Sequence, residues 1–432
     1  VLTRFDNGLS VLDLADGSER RHIRMYNPEP ESITAGRPFL YDATLTSNNG
    51  TSSCAGCHVF ADTDHLSWDL GNPDDVVKAD PHPEVPFSRP TTGSFIERQA
   101  TFHPMKGPKS TQSFRGMANH GPLHWRGDRT GMNPVAGETQ EAAAFKEFNG
   151  AFEGLVGRDA PLAADQMQAF TDFAMRLSYP PNPLRPLDNQ LTGDLAEGHR
   201  VYTELATSGD FETKDGENLG CNSCHVLEPE KGHYGSSVTM VAVLGNNNQD
   251  FKTPHFRNLY QKVGFFREGP HMPQIRGFGF SQNGATPSMM ELLRNEDFTF
   301  ETPTQRKQLA DFLFAYDTLL APIVGQQVTL TKNSPSAALE RLTLLIERAQ
   351  VAGDLPECDL IVQGVWGGER RAAFMLASDQ FQSDRKVEVY DKATLLSLAQ
   401  ELDNHLTFMC VPPNSGVRIA LDRDLDGVYN GD

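Results

Sequence analysis

Residues 52–58 read Ser-Ser-Cys-Ala-Gly-Cys-His and residues 219–225 read Leu-Gly-Cys-Asn-Ser-Cys-His, and these two stretches decide how the rest of the chain is read. Each contains Cys-x-x-Cys-His: Cys54, Cys57 and His58 in the first, Cys221, Cys224 and His225 in the second. One chemistry fits this spacing. Two thiols add across the vinyl groups of a haem, and the adjacent imidazole becomes the fifth ligand of its iron. A structural zinc site instead wants four ligands in two close pairs. Here each pair carries its own histidine, and 167 residues separate Cys54 from Cys221. The expectation is two covalently attached haem c groups on one polypeptide. Beyond the motifs, their flanks show little self-similarity.

Working outward, 432 residues exceed one ordinary core, so two or three domains are expected. A hydrophobic content of 38% with 22% charged residues suits a soluble globular chain. No apolar run approaches the ~20 residues of a membrane-spanning helix. The net charge of −19 repels nucleic acid and is compatible with steering a basic redox partner, although a solvated acidic surface explains it equally well. Haem attachment implies an oxidising compartment, so an exported, periplasmic or extracellular protein is expected. The two remaining cysteines, Cys358 and Cys410, are then expected to form a disulfide, the alternative being two buried free thiols. The chain begins at Val1, which reads as a processed or cut polypeptide.

The expected fold class is mainly α: two cytochrome c-like haem domains followed by a small α+β domain with a calcium-type loop. Residues 1–30 alternate around an Asp-Gly turn and read as strands, a remnant of a β-structure. Residues 31–190, rich in Pro and Gly, read as the first haem domain. Apolar positions Met167, Phe170, Phe173, Ala174 and Leu177 predict a helix over 165–177, stopped by Pro180-Pro181. Residues 191–325 form the second haem domain, with a helix near 194–205 and another through Leu309, Phe312, Leu313 and Tyr316. Residues 326–432 read as the α+β domain, with a helix over 337–349 and β-like runs after Cys358. Near its end, Asp422, Asp424 and Asp426 precede Gly427, as at positions 1, 3 and 5 of an EF-hand-type loop. Asn430 could supply position 9, and no Glu stands at position 12. The alternative is a solvated acidic turn.

The run FHPMKGPKSTQSFRGMANHGPLHWRGDR, residues 102–129, resembles the first haem domain of bacterial diheme cytochrome c peroxidases. The run FKTPHFRNLYQKVGFF, residues 251–266, resembles their second-domain Pro-x-x-Arg-Asn segment. A branch that oxidises the precursor tryptophans of methylamine dehydrogenase shares this framework, and the likeness spans about residues 31–325. The start of the chain and the first motif also resemble larger propeller-fused diheme proteins, which would make residues 1–30 a propeller end. The resemblance implies that His103 is the distal ligand of the peroxidatic haem, with Met105 a rival. It implies that Trp125 lies between the haems and relays electrons. A peroxide-cleaving Glu is expected about twenty residues beyond Trp125: Glu147, with Glu141 and Glu153 competing.

Three departures stand out. The loop between His58 and His103 is longer than in ordinary peroxidases, and His65, Trp68 and His82 within it read as structural. Lys262 replaces a Thr that helps hold an interdomain calcium in the family. The helix after Gln282-Asn283-Gly284 offers Met289 and Met290 as the distal ligand of haem 2, of which Met290 is chosen, while His271 and Met272 lie in an insertion.

Two function classes follow. An enzyme would bind hydrogen peroxide at haem 1, or oxidise a partner subunit there, with electrons from a small cytochrome or cupredoxin relayed by haem 2. A non-catalytic electron carrier within a larger assembly would hold firm sixth ligands on both irons.

Overall fold

The computed structural model describes residues 1–25, 27, 29–79, 87–89, 94–95, 101–207, 212–213, 217–235, 239–241, 250–263, 279–295, 298–351, 356–377 and 379–432. The chain divides into two compact units. One comprises Val1–Pro30, Pro180–Gln190 and Thr318–Asp432; the other comprises Glu31–Tyr179 and Leu191–Asp317. Both Cys-x-x-Cys-His motifs belong to the second.

That unit has two apolar cores, one around each motif. The first gathers Leu40, Phe145, Phe152, Met167, Phe170 and Phe173 against Cys54 and Phe114. The second gathers Val201, Tyr202, Leu309, Phe312 and Tyr316 against Cys221 and Phe256. The expected helices are present as Ala164–Ala174, Gly193–Glu204 and Pro303–Phe314. Each core is closed by two helices that cross at a glycine. A Cβ on Gly36, at the end of Glu31–Gly36, would stand 2.1 Å from the Ala169 carbonyl oxygen and 2.4 Å from Phe173 Cβ. A Cβ on Gly198 would stand 2.1 Å from the Gln308 carbonyl oxygen and 2.7 Å from Phe312 Cβ. At these separations only hydrogen fits between the backbones.

The other unit opens with three antiparallel strands, Leu2–Thr3, Gly8–Leu12 and Glu19–Arg24. Its main sheet is antiparallel, in the order Gln327–Leu330, His405–Val411, Asp359–Trp366, Glu369–Met375, Gln380–Ser383, Val389–Asp391. Side chains alternate faces along a strand. One face therefore buries Leu360, Val362, Leu406 and Phe408 under the helices Ser336–Ala349 and Lys392–Ala399. The opposite face buries Ile361, Ala372 and Val411 under the π-helical turn Val417–Leu421. Cys358 and Cys410 form a disulfide in the first of these cores, with Cα atoms 5.3 Å apart.

Candidate haem-binding site

In the first motif Cys54–Gly56 form a 3-10 turn, and the His58 amide donates to the Cys54 carbonyl at 2.9 Å. The turn projects both thiols and the imidazole from adjacent positions. The His58 Nδ1 lies 2.7 Å from the Gln112 carbonyl oxygen. A carbonyl only accepts, so Nδ1 carries the proton and Nε2 keeps its lone pair for a metal. The Phe114 ring meets the imidazole edge-on, 4.4 Å between centroids. Burial lowers the basicity of His58, which keeps the ring neutral, and pushes the Cys54 thiol up to about 11.

The second motif repeats this arrangement. Cys221–Cys224 form one helical turn, and the His225 Nδ1 lies 2.7 Å from the Pro254 carbonyl oxygen. Phe256 stacks on the imidazole at 4.1 Å. Burial pushes His225 down to about 4 and Cys224 up to about 12. Tyr202 donates its hydroxyl to the His225 carbonyl and meets the Tyr316 hydroxyl at 3.0 Å. None of the four motif cysteines takes part in a disulfide.

These partners reveal a repeat in the stretches that face the two histidines. Thr111-Gln112-Ser113-Phe114-Arg115 and Thr253-Pro254-His255-Phe256-Arg257 share Thr-x-x-Phe-Arg. In both, the second residue supplies the carbonyl for the histidine and the fourth supplies the ring beside it. The spacing hid it: the acceptor lies 54 residues after His58 but 29 after His225.

The same unit holds a largely buried group of cationic and aromatic side chains drawn from residues 109–126 and 179–262. Lys252 Nζ stands 2.9 Å from His120 Nε2, and the rings of His120 and His255 meet at 4.6 Å. Arg257 lies over the rings of Tyr234 at 4.5 Å and Tyr179 at 5.3 Å and donates to the Gly116 carbonyl. Its Nε is buried without a hydrogen-bond partner, as is that of Arg126. Burial, with Arg257 nearby, pushes Lys252 well below the ordinary amine value. Lys109 donates to the Lys106 carbonyl at 2.5 Å, lies 5.1 Å from the Phe251 ring, and is pushed down to about 8 by burial. The contacts named here are to neutral groups, while the carboxylates of Glu141 and Asp317 act on Lys252 and Arg257 from farther away. Buried cations left so are costly, and an anionic group would relieve them.

Trp125 is buried in the same region, its Nε1 donating to the Ser110 carbonyl at 2.6 Å, with Lys262 Nζ 5.5 Å from its ring. Burial pushes Lys262 down to about 8. His103 is exposed; its Nδ1 accepts from the Met105 amide at 3.0 Å, and its carbonyl accepts from Arg126 at 2.5 Å. Arg126 in turn faces Asp128, which also bridges His124 at 2.6 Å and Arg129 at 3.6 Å. Burial alone would raise Asp128, yet His124, Arg129 and Arg126 hold it far below the usual carboxylate range.

Glu147 accepts from the amides of Thr130 and Gly131, at 3.2 and 2.8 Å. Glu141 does the same for His120 and Gly121, at 3.0 and 2.8 Å. Glu153 is exposed on a short helix. Met290 is half-buried against the second core, beside the fully buried Met289. Trp68 donates to Asp64 at 2.7 Å, in a role within its own loop. His82, His271 and Met272 lie outside the described residues.

In the other unit, the carboxylates of Asp422, Asp424 and Asp426 lie within 4.8 Å of one another. Asp422 Oδ2 accepts from the Gly427 amide at 2.9 Å, while its buried Oδ1 has no partner. The Asn430 side-chain amide donates to the Leu421 carbonyl, and its oxygen accepts from the Arg423 amide at 3.4 Å.

No family model matches the chain, and no curated protein matches it. Among solved structures it is similar to hydrazine synthase of Kuenenia stuttgartiensis, at 16% identity and a TM-score of 0.42 over 67% of this chain and 88% of that one. It is similar to a MauG-like protein associated with microbial copper homeostasis, at 16% identity and a TM-score of 0.33, over 67% and 89%. The diheme peroxidase BthA from Burkholderia thailandensis gives 14% identity and a TM-score of 0.29, over 67% and 87%. Among the described residues no helix is long and apolar enough to cross a membrane.

Proposed function

We propose that the chain is an exported diheme c-type cytochrome of the cytochrome c peroxidase type, built from two haem domains. The observation that supports it most is the repeated arrangement at the two motifs: two cysteines on one turn, then a buried histidine whose Nδ1 is tied to a carbonyl at 2.7 Å. When bound, the haems would supply one-electron exchange and, at a displaceable sixth position, peroxide chemistry. The residues fit such a group. Cys54, Cys57 and His58 would hold one haem, and Cys221, Cys224 and His225 the other. Lys252, Arg257, Lys109 and Arg126 would take the propionates, giving the orphaned guanidinium nitrogens of Arg126 and Arg257 an anionic partner.

Gln112 and Pro254 orient the histidines through their carbonyls. Trp125, fixed by Ser110, carries electrons between the domains. His103, its Nδ1 engaged by the Met105 amide, would offer Nε2 to the first haem, and Met290 would offer its sulfur to the second. Glu147 moves the peroxide proton in the enzyme reading, and hydrogen peroxide or a partner side chain is the substrate. A small cytochrome or cupredoxin supplies electrons. In the C-terminal unit, Asp422, Asp424, Asp426 and Asn430 hold calcium, with the unpartnered Asp422 Oδ1 available to the ion.

The test is spin state. His103→Ala is expected to convert one haem from low to high spin in optical and spin-resonance spectra, and Glu147→Gln to lower peroxide turnover by about a hundredfold without changing those spectra. Two haems that stay low-spin and six-coordinate through reduction would point instead to the carrier reading.

A further inference from the structure

The C-terminal unit carries a cavity of about 480 Å³ that the haem chemistry does not use. Its floor is one face of the sheet. His405, Val365 and Arg370 stand in register across three adjacent strands, and Gln363 follows on the same face. Its rim is the π-helical turn Val417–Leu421 and the residues after it, which bring Arg418 and Arg423 over the floor. Gln363 Nε2 donates to the Ile419 carbonyl at 3.2 Å and ties rim to floor. Arg371, next to Arg370 in the strand, turns its guanidinium to the opposite face, where Asp384 at 2.8 Å, Glu388 at 2.6 Å and the Trp366 ring hold it.

Besides Arg371, the lining contains three arginines, one histidine and no carboxylate. The whole chain holds 57 acidic residues against 38 Lys and Arg, so an unselected concavity would be acidic. Guanidinium groups present paired donors that match carboxylate and phosphate oxygens. The volume is that of a small-ligand site rather than a flat contact surface. π-Helical turns recur at functional sites, and here one delivers Arg418.

We propose that this cavity binds a small polyanion bearing two or more carboxylate or phosphate groups, held by Arg370, Arg418 and Arg423 with His405 at its edge. The test is calorimetric titration of the full haem-loaded chain with inorganic pyrophosphate and with citrate, at matched ionic strength. Saturable binding at one site per chain is expected. Tighter pyrophosphate binding identifies a phosphorylated ligand, and tighter citrate binding a polycarboxylate. Arg370→Gln and Arg418→Gln are each expected to weaken the tighter probe by about tenfold, and Arg4→Gln, outside the cavity, to leave it unchanged. Circular dichroism checks that the variants fold; Arg370, exposed on a strand, carries the comparison if Arg418→Gln disturbs its turn. The proposal is overturned if neither probe binds at roughly millimolar concentration, or if Arg370→Gln binds like the parent.

Discussion

At the scale of single residues, the molecule keeps its chemistry legible where covalent bonds require particular side chains next to each other. Cys54, Cys57 and His58 stand out in the sequence because the proposed thioether formation and ligation would leave no choice of residue type. The histidine partners do not. They are backbone carbonyls of Gln112 and Pro254, and a carbonyl has no residue identity; only the repeated Phe and Arg around it betray the position. The buried cations Lys252 and Arg257 escaped notice for a related reason, since sequence does not show which basic residues lose their water. Asp128 stands at the centre of an ion-pair set in the unit that carries both motifs. It links His124, Arg126 and Arg129, and Arg126 grips the backbone of His103. Removing one member of such a buried set leaves the others uncompensated, so Asp128→Asn is expected to cost about 3 kcal/mol at neutral pH. Because folding lowers the Asp128 pKa, its contribution is full above the ordinary carboxylate value of about 4 and fades as pH falls through its lower folded value. Urea unfolding at pH 7 and pH 3 checks this. A gap between parent and variant that does not narrow at pH 3 would refute it.

At the scale of elements, the longer helices were recoverable from their apolar period, to within a few residues at their ends. Ala164–Ala174 is three residues shorter at its C-terminus than the expected span, its last turn giving way before Pro180. What periodicity did not disclose is the pairing of helices. Gly36 and Gly198 each sit where another helix touches backbone, and glycine in a helix otherwise reads only as a weak point. Gly198→Val is therefore expected to destabilise the core around Cys221 by about 1–3 kcal/mol, and, if both motifs carry haem as proposed, to lower its yield at Cys221 and Cys224 before that at Cys54 and Cys57. Site-resolved peptide mapping of haem occupancy measures it; equal loss at both motifs would contradict a local crossing. The connecting stretches around 101–135 carry only short strands and turns, and their backbone is held by side chains such as Glu141 and Glu147, whose role in capping loops no local pattern announces.

At the scale of the whole molecule, two units divide the work. One gathers both haem motifs; the other combines a six-stranded sheet, a disulfide and an acidic loop. The α+β character of the C-terminal region was legible because its strands alternate and its composition shifts after the helix of residue 313. If the loop holds calcium, chelation is expected to lower the melting temperature of this unit by several degrees while leaving the haem spectrum unchanged, and Asp424→Asn to abolish the effect. Identical melting with and without chelator would remove calcium from the account. If a basic protein is the electron donor, the charge of −19 predicts that its reduction of this chain slows as salt is raised. All of this presupposes that two porphyrins are bonded to the polypeptide. Intact-mass measurement of the denatured chain, made in a host competent for haem attachment, tests that most directly. The expected mass is the polypeptide plus two haems, with one lost in Cys221→Ala/Cys224→Ala. A bare polypeptide mass, with the porphyrin passing into acidic acetone, would contradict it.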